Sequence, residues 1–254
     1  MKHSIKTLSL LPLSISALLL ISLAGSLNAS AASSGHTSVP AQHFSALPVF
    51  ISNAKSLNWS GYAAHSGHYT MVSANWNEPT VTCSSTATYS SFWVGLDGYT
   101  SSSVEQTGSE SDCRGGSPIY FAWYEMYPNP PVTIGHPVSP GDAMSASVTA
   151  GTKSSFKLVI SDHTQGWTFA TTKTLTGAAQ SSAEVIAEAP SSISGVLPLA
   201  DFGTVHFSST MVNGKSIGSS TPVKIVMATK GGTVKAQPSA LSGGTAFSVT
   251  WKHS

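Results

Sequence analysis

Along most of the chain, short runs of apolar and β-branched residues are punctuated by Gly, Pro, Ser and Asn. No stretch longer than about ten residues repeats its apolar positions with the 3.6-residue period of a helix. The runs 69–76, 91–96, 119–127, 143–149, 156–161, 167–172, 183–187, 205–207, 223–228 and 246–251 instead have the length and residue types of strands. Asp97-Gly98, Pro140-Gly141-Asp142, Asn213-Gly214 and Gly231-Gly232 lie between runs and suit hairpin connections. About ten to fourteen strands at this spacing predict an all-β fold, an antiparallel two-sheet β-sandwich, with a closed barrel as the alternative. No internal repeat interrupts the pattern.

The N-terminus follows a different rule. Lys2, His3 and Lys6 open the chain, residues 8–23 are rich in Leu, Ile and Ser, and Ala29-Ser30-Ala31 closes the segment. This is the tripartite form of a secretory signal peptide, expected over 1–31. A membrane span needs about 20 continuous apolar residues, and Ser9, Pro12, Ser14 and Ser16 interrupt this run. Residues 32–52 have neither strand nor helix periodicity and are expected to be a leader or short pro-segment. The exported domain is then expected over 53–254, long enough for one full core.

Charge narrows the function classes. Asp, Glu, Lys and Arg make up 9% of the chain, with 12 basic and 11 acidic residues, against roughly 25% in an average soluble protein. No basic face for nucleic acid and no acidic tail can be built from so few charges. A chain poor in both signs also gains little self-repulsion on acidification, which suits an acid-tolerant extracellular protein. Cys83 and Cys113 are the two cysteines. In an oxidising compartment they are expected to form one disulfide. No CxxC or HxxxH spacing accompanies them, so no metal site is expected.

With 11 carboxyls, position carries information. Glu78 precedes Pro79 at a strand end and is set aside, while Glu105, Asp112, Asp142, Asp162 and Asp201 lie in turn-like or polar surroundings and are expected to be solvated. Glu110 is intermediate. Asp97, Glu125, Glu184 and Glu188 sit within apolar strand patterns. Strand alternation puts Trp123, Glu125 and Tyr127 on one face, and Glu184, Ile186 and Glu188 on another. Carboxyls between aromatic rings on a sheet face suggest a groove with acid–base chemistry. Other catalytic chemistries lack their motifs: there is no GxSxG elbow around Ser60, no HExxH, no phosphate loop and no unpaired thiol.

Five motifs in order carry a resemblance. Asn58-Trp59-Ser60-Gly61, Phe92-Trp93-Val94-Gly95-Leu96-Asp97-Gly98, Val104-Glu105-Gln106-Thr107-Gly108, Ala122-Trp123-Tyr124-Glu125-Met126-Tyr127-Pro128 and Ala183-Glu184-Val185-Ile186-Ala187-Glu188 resemble the glutamic peptidases, or eqolisins. The resemblance implies a concanavalin-like sandwich with a substrate groove across one sheet, and polypeptide substrates cut at acidic pH. It implies a catalytic dyad of Gln106 and Glu188. Glu184 matches the earlier, noncatalytic acid of its strand. Asp97, Trp93, Glu125 and Tyr127 match groove-lining or supporting positions, and Trp59 and Trp123 fall within the same motifs. Glu110 stands where fungal members carry Asp, Phe121 where they carry Asp, and Met126 where they carry Trp. The single cysteine pair is the pattern of a bacterial member. No cofactor, nucleic acid or mature membrane contact is implied, and a secreted monomer is expected.

The implied chemistry is consistent with an ordinary glutamate, whose pKa of about 4.3 leaves it partly ionised in acid. The carboxylate takes a proton from water and returns it to the leaving amine, while the Gln amide faces the oxyanion. A carbohydrate-binding sandwich with Trp93, Trp123 and Tyr127 as a stacking platform is one alternative. A glycosidase using Glu184 and Glu188 is another, but four residues along a strand span about 13 Å, too far for a carboxylate pair at about 5–9.5 Å.

Overall fold

The computed structural model describes residues 47–254 apart from Asn53. The expected signal peptide and residues 32–46 of the expected leader lie outside the described residues. Two antiparallel sheets stack face to face. Across the front sheet the strands run Val132–Ile134, Ser117–Tyr127, Val104–Arg114, Ser91–Leu96, Ser182–Glu188, Trp59–His65 and Val223–Ala228. Across the back sheet they run Trp167–Thr174, Ser155–Asp162, Ala143–Ala150, Met71–Asn77, Thr204–Val212, Phe247–Trp251 and Val234–Pro238. Val223–Ala228 belongs to both: residues 223–225 pair with the front sheet, while 226–228 pair with Lys55–Ser56 and Val234–Pro238 of the back sheet.

Each run expected from the alternation coincides with a strand, and the sandwich is the architecture found. Between the sheets, Phe92, Val94, Leu96, Ala183 and Val185 from the front meet Val72, Trp76, Val148, Leu158, Ile160 and Phe207 from the back. Asn213 and Gly214 have φ of 49° and 74°. That is the left-handed pair a two-residue hairpin turn requires, and Asn-Gly supplies it at least strain.

Three front strands were not expected from the pattern, Trp59–His65, Val104–Arg114 and the short Val132–Ile134. The second is mostly polar yet buried from Val104 through Cys113. Its core-facing hydroxyls explain how. Ser109 and Ser111 both donate to the carboxyl of Glu78, Ser111 at 2.6 Å, and Trp76 Nε1 donates to Ser109 Oγ at 3.0 Å. A polar strand can thus sit in mid-sheet because its side chains are satisfied internally.

The acids expected to be solvated are corrected here: Glu105, Asp112, Asp142 and Asp162 are buried, as is Glu78, and Asp201 is half-buried. Local hydrogen bonds make burial tolerable for most of them. Asp142 accepts from the Ser139 amide at 2.7 Å, and Asp162 accepts from the Thr164 and Gln165 amides at 2.9 Å each.

Residues at the end of the expected leader are also folded. Phe50–Ser52 pairs with Lys55–Ser56, and Leu57 N–H donates to the Val49 carbonyl at 2.8 Å.

Cys83 and Cys113 form the expected disulfide, closing a loop of 30 residues. Loop entropy assigns it about 3–4 kcal/mol. Replacing both cysteines by Ser is expected to lower the unfolding free energy in urea by about that amount, with the denaturant slope as a check on residual structure.

Candidate active site

The outward face of the front sheet carries its own apolar cluster, separate from the core: Trp59, Ala63, Trp93, Val104, Trp123, Ile186 and Ile225. Cross-strand neighbours in antiparallel pairs share a face, so the register defines rows across it. One row is Phe121, Glu110, Ser91, Glu188 and Trp59. The next is Trp123, Gly108, Trp93, Ile186 and Gly61. A third is Glu125, Gln106, Gly95, Glu184 and Ala63.

Gln106 and Glu188 therefore stand diagonally, two strands and four residues apart, with Trp93 at the midpoint. On a flat sheet the offset is about 10 Å across and about 13 Å along the strands. Glu188 closes part of this offset, because its carboxylate reaches Trp93 Nε1 at the midpoint. Gly108 allows this ring to lie low, since a Cβ there would come within 2.5 Å of Trp93 Cβ. Trp59 packs edge-on to Trp93, with ring centroids 4.9 Å apart.

Both groups are held. Glu188 is buried, and its carboxylate accepts from Trp93 Nε1 at 2.8 Å and Asn58 Nδ2 at 3.3 Å. Gln106 is buried and donates its amide N–H to Glu125 Oε2 at 2.7 Å. Gln106 Oε1 and Trp123 Nε1 are buried without a hydrogen-bond partner. A native protein rarely leaves such atoms unsatisfied, and both face the groove, where a bound chain can supply the missing partners.

The remaining expected site residues divide. Trp59, Glu110, Trp123 and Glu184 share the groove face, and Tyr127 is half-buried at its rim. Asp97 has turned away. With φ at 69°, its carboxylate accepts from the Gln180 amide at 2.7 Å and the Ser181 amide at 2.9 Å, clamping two loops. Glu184 lies toward Asp97. Burial holds its carboxyl well above the usual range, and the Asp97 charge adds to this. Glu105, on the core side of the Gln106 strand, is pushed up to about 8 by burial and by Asp97. Both are neutral acids over a wide pH range.

Asn58, absent from the expected list, also meets the Glu188 carboxylate. Its position in the first motif and its place before a strand-opening Trp were the available signals. Among the described residues, no group of three or more His, Cys, Asp or Glu is arranged to hold a metal.

The face thus brings together tryptophans, an anchored carboxylate and an anchored amide. The Peptidase A4 family model matches residues 57–251, and the chain belongs to that family. Aspergillopepsin-2 of Aspergillus niger is 28% identical over 193 residues, covering 65% of this chain and 68% of that protein. Scytalido-glutamic peptidase, solved with a transition state analog inhibitor, superposes with a TM-score of 0.66 at 26% identity, covering 77% of this chain and 98% of that one. SCP-B, an eqolisin solved with the tripeptide Ala-Ile-His, gives a TM-score of 0.62 at 25% identity over 77% of this chain and 98% of that chain. The chain is a glutamic peptidase by family, a hydrolase acting on peptide bonds.

Proposed function

We propose that the protein is a secreted endopeptidase that works in acid through Gln106 and Glu188. Glu188 as carboxylate takes a proton from a water that attacks the scissile carbonyl carbon. The carbonyl oxygen becomes an oxyanion and meets the second N–H of the Gln106 amide, the first being committed to Glu125. Protonated Glu188 then gives its proton to the amide nitrogen, and the C–N bond breaks. Trp93 and Asn58 fix the carboxylate so that little reorganisation accompanies either transfer.

The carrying observation is that a carboxylate and an amide, each held by its own partners, face one groove across Trp93. Glu184, on the groove face, keeps its proton in acid and so adds no like charge beside the dyad. Export through a cleaved signal over 1–31 and a monomeric mature domain complete the proposal.

Digestion of a denatured protein at about pH 3–4 tests it. Gln106→Ala is expected to reduce kcat about 10²–10³-fold, the effect of losing one oxyanion donor, with KM little changed. Full activity of that variant would sink the dyad. A wild-type protein that cuts nothing across acidic pH would favour a binding module.

A further inference from the structure

We propose that Asn58 is a clamp for the backbone of an extended peptide, and that residues 47–49 occupy this clamp in the uncleaved chain; the proposal rests on the peptidase reading of the groove. A side-chain amide has two donor hydrogens and two acceptor positions. In Asn58 they divide between the domain and the strap. From the domain, Ser56 Oγ donates to Oδ1 at 2.9 Å, and Nδ2 donates to Glu188 at 3.3 Å. From the strap, Val49 N–H donates to Oδ1 at 2.8 Å, and Leu47 C=O accepts from Nδ2 at 3.3 Å.

A carbonyl and the amide N–H two residues later point to the same side of an extended chain. One planar amide therefore reads both at once, and nothing in this contact depends on the side chains of the bound segment. The residue between them is Pro48. It has no N–H to leave unsatisfied, and its ring restrains Leu47 to extended geometry. Leu47 packs its side chain on the groove-face cluster that holds Trp59 and Trp93, while Val49 points outward at 44% exposure.

The strap does not build the clamp. Ser56 Oγ, besides its bond to Oδ1, accepts from the Asn58 and Trp59 amides at 3.2 and 3.1 Å. Asn58 is thus fixed from the domain side. Displacing residues 47–49 releases one donor and one acceptor next to the Glu188 carboxylate. A substrate backbone takes the same two bonds, and a leucine-sized aliphatic side chain takes the place of Leu47. In the uncleaved chain the strap competes for this position intramolecularly, which holds substrate off.

Binding, rather than turnover, gives the cleaner test. The full chain carrying Glu188→Gln, with and without the strap substitutions Leu47→Asp and Val49→Pro, is titrated with a fluorescent peptide of sequence 45–52. The strap variant is expected to bind the probe at least about tenfold more tightly than the chain with an intact strap. Adding Asn58→Asp, which replaces the donor by an oxygen and keeps the acceptor, is expected to weaken it again by about fivefold, the ratio that loss of one ordinary hydrogen bond gives. Thermal melting checks that each variant folds, and Asn58→Ser serves if Asn58→Asp does not. Equal probe affinity with and without the strap substitutions, or with and without Asn58, overturns the clamp. Because the binding arm uses a chain without Glu188, its outcome is independent of whether the wild type cuts protein. With Glu188 restored, the strap variant is expected to turn over substrate faster than the unsubstituted chain.

Discussion

Glu188→Gln is expected to lower kcat/KM about 10⁴-fold at pH 4, with the melting temperature within a few degrees of wild type. The substitution keeps shape and removes only proton transfer. The side-chain oxygen of Gln can still accept from Trp93 Nε1, the 2.8 Å bond that orients this group. A single general base or acid contributes about 10²–10⁴-fold, and the carboxyl serves in turn as both, so the upper end applies. Glu188→Asp separates charge from position. It keeps the acid but withdraws it by one methylene from Trp93 and Asn58, and a displacement of about 1 Å costs on the order of 10²-fold. Steady-state digestion of a denatured protein, with melting curves in parallel, checks both. A Glu188→Gln enzyme within tenfold of wild type would remove Glu188 from the mechanism.

The second large effect is on stability. Three buried carboxyls, Glu78, Glu105 and Glu184, hold their protons more tightly in the folded protein than the ordinary value of 4.5. For Glu78 the dominant cause is burial, partly offset by the Ser109, Ser111 and Trp76 hydrogen bonds, and the result is a value of about 7. For Glu105 burial and the Asp97 charge give about 8. Below pH 4.5 folded and unfolded chains are both protonated at these sites, and folding is at its most favourable. As pH rises from 4.5 toward 7–8 the unfolded chain releases protons that the folded chain retains, so stability falls through this window.

Each pH unit of displacement is worth about 1.4 kcal/mol. Glu78 then costs about 3 kcal/mol and Glu105 about 5 kcal/mol by pH 8, against a net stability of about 5–15 kcal/mol for a typical domain. Urea unfolding at pH 4 and pH 8 is expected to show a loss of this order. Glu78→Gln is expected to recover about 3 kcal/mol at pH 8 and nothing at pH 4, since the amide keeps its partners but cannot ionise. Equal stability at the two pH values would contradict the buried-acid account.

How much of this was readable beforehand follows from what alternation reports. Strands with a regular apolar face, such as Ala143–Ala150 and Ser155–Asp162, showed themselves because every second residue enters the core. Val104–Arg114 did not, because it is buried on both faces and polar on both. Its Ser109 and Ser111 reach Glu78 from another strand, and no local pattern announces a hydrogen bond across 31 or 33 residues. Yet this strand carries Gln106, which is why the amide came from a motif rather than from periodicity.

The carboxyl of Glu188 was legible as an acid in an apolar strand. Asn58 was not, since its role depends on the long-range meeting of residues 47–49, 58 and 188. Glu105 and Glu78 were misjudged for a related reason. Gln106 and Thr107 beside Glu105 suggested water, whereas in the fold both are inside, and Glu78 turns inward from between the exposed Asn77 and Thr80.

The strand that presents Gln106 to the groove turns Glu105 and the Ser109–Glu78 contact into the core within a few residues. Near neutrality these acids favour the unfolded chain, and in acid they favour the folded one. Such a molecule unravels more readily in neutral surroundings than in acidic ones. The same carboxyls tie the lifetime of the fold to the acidity around it.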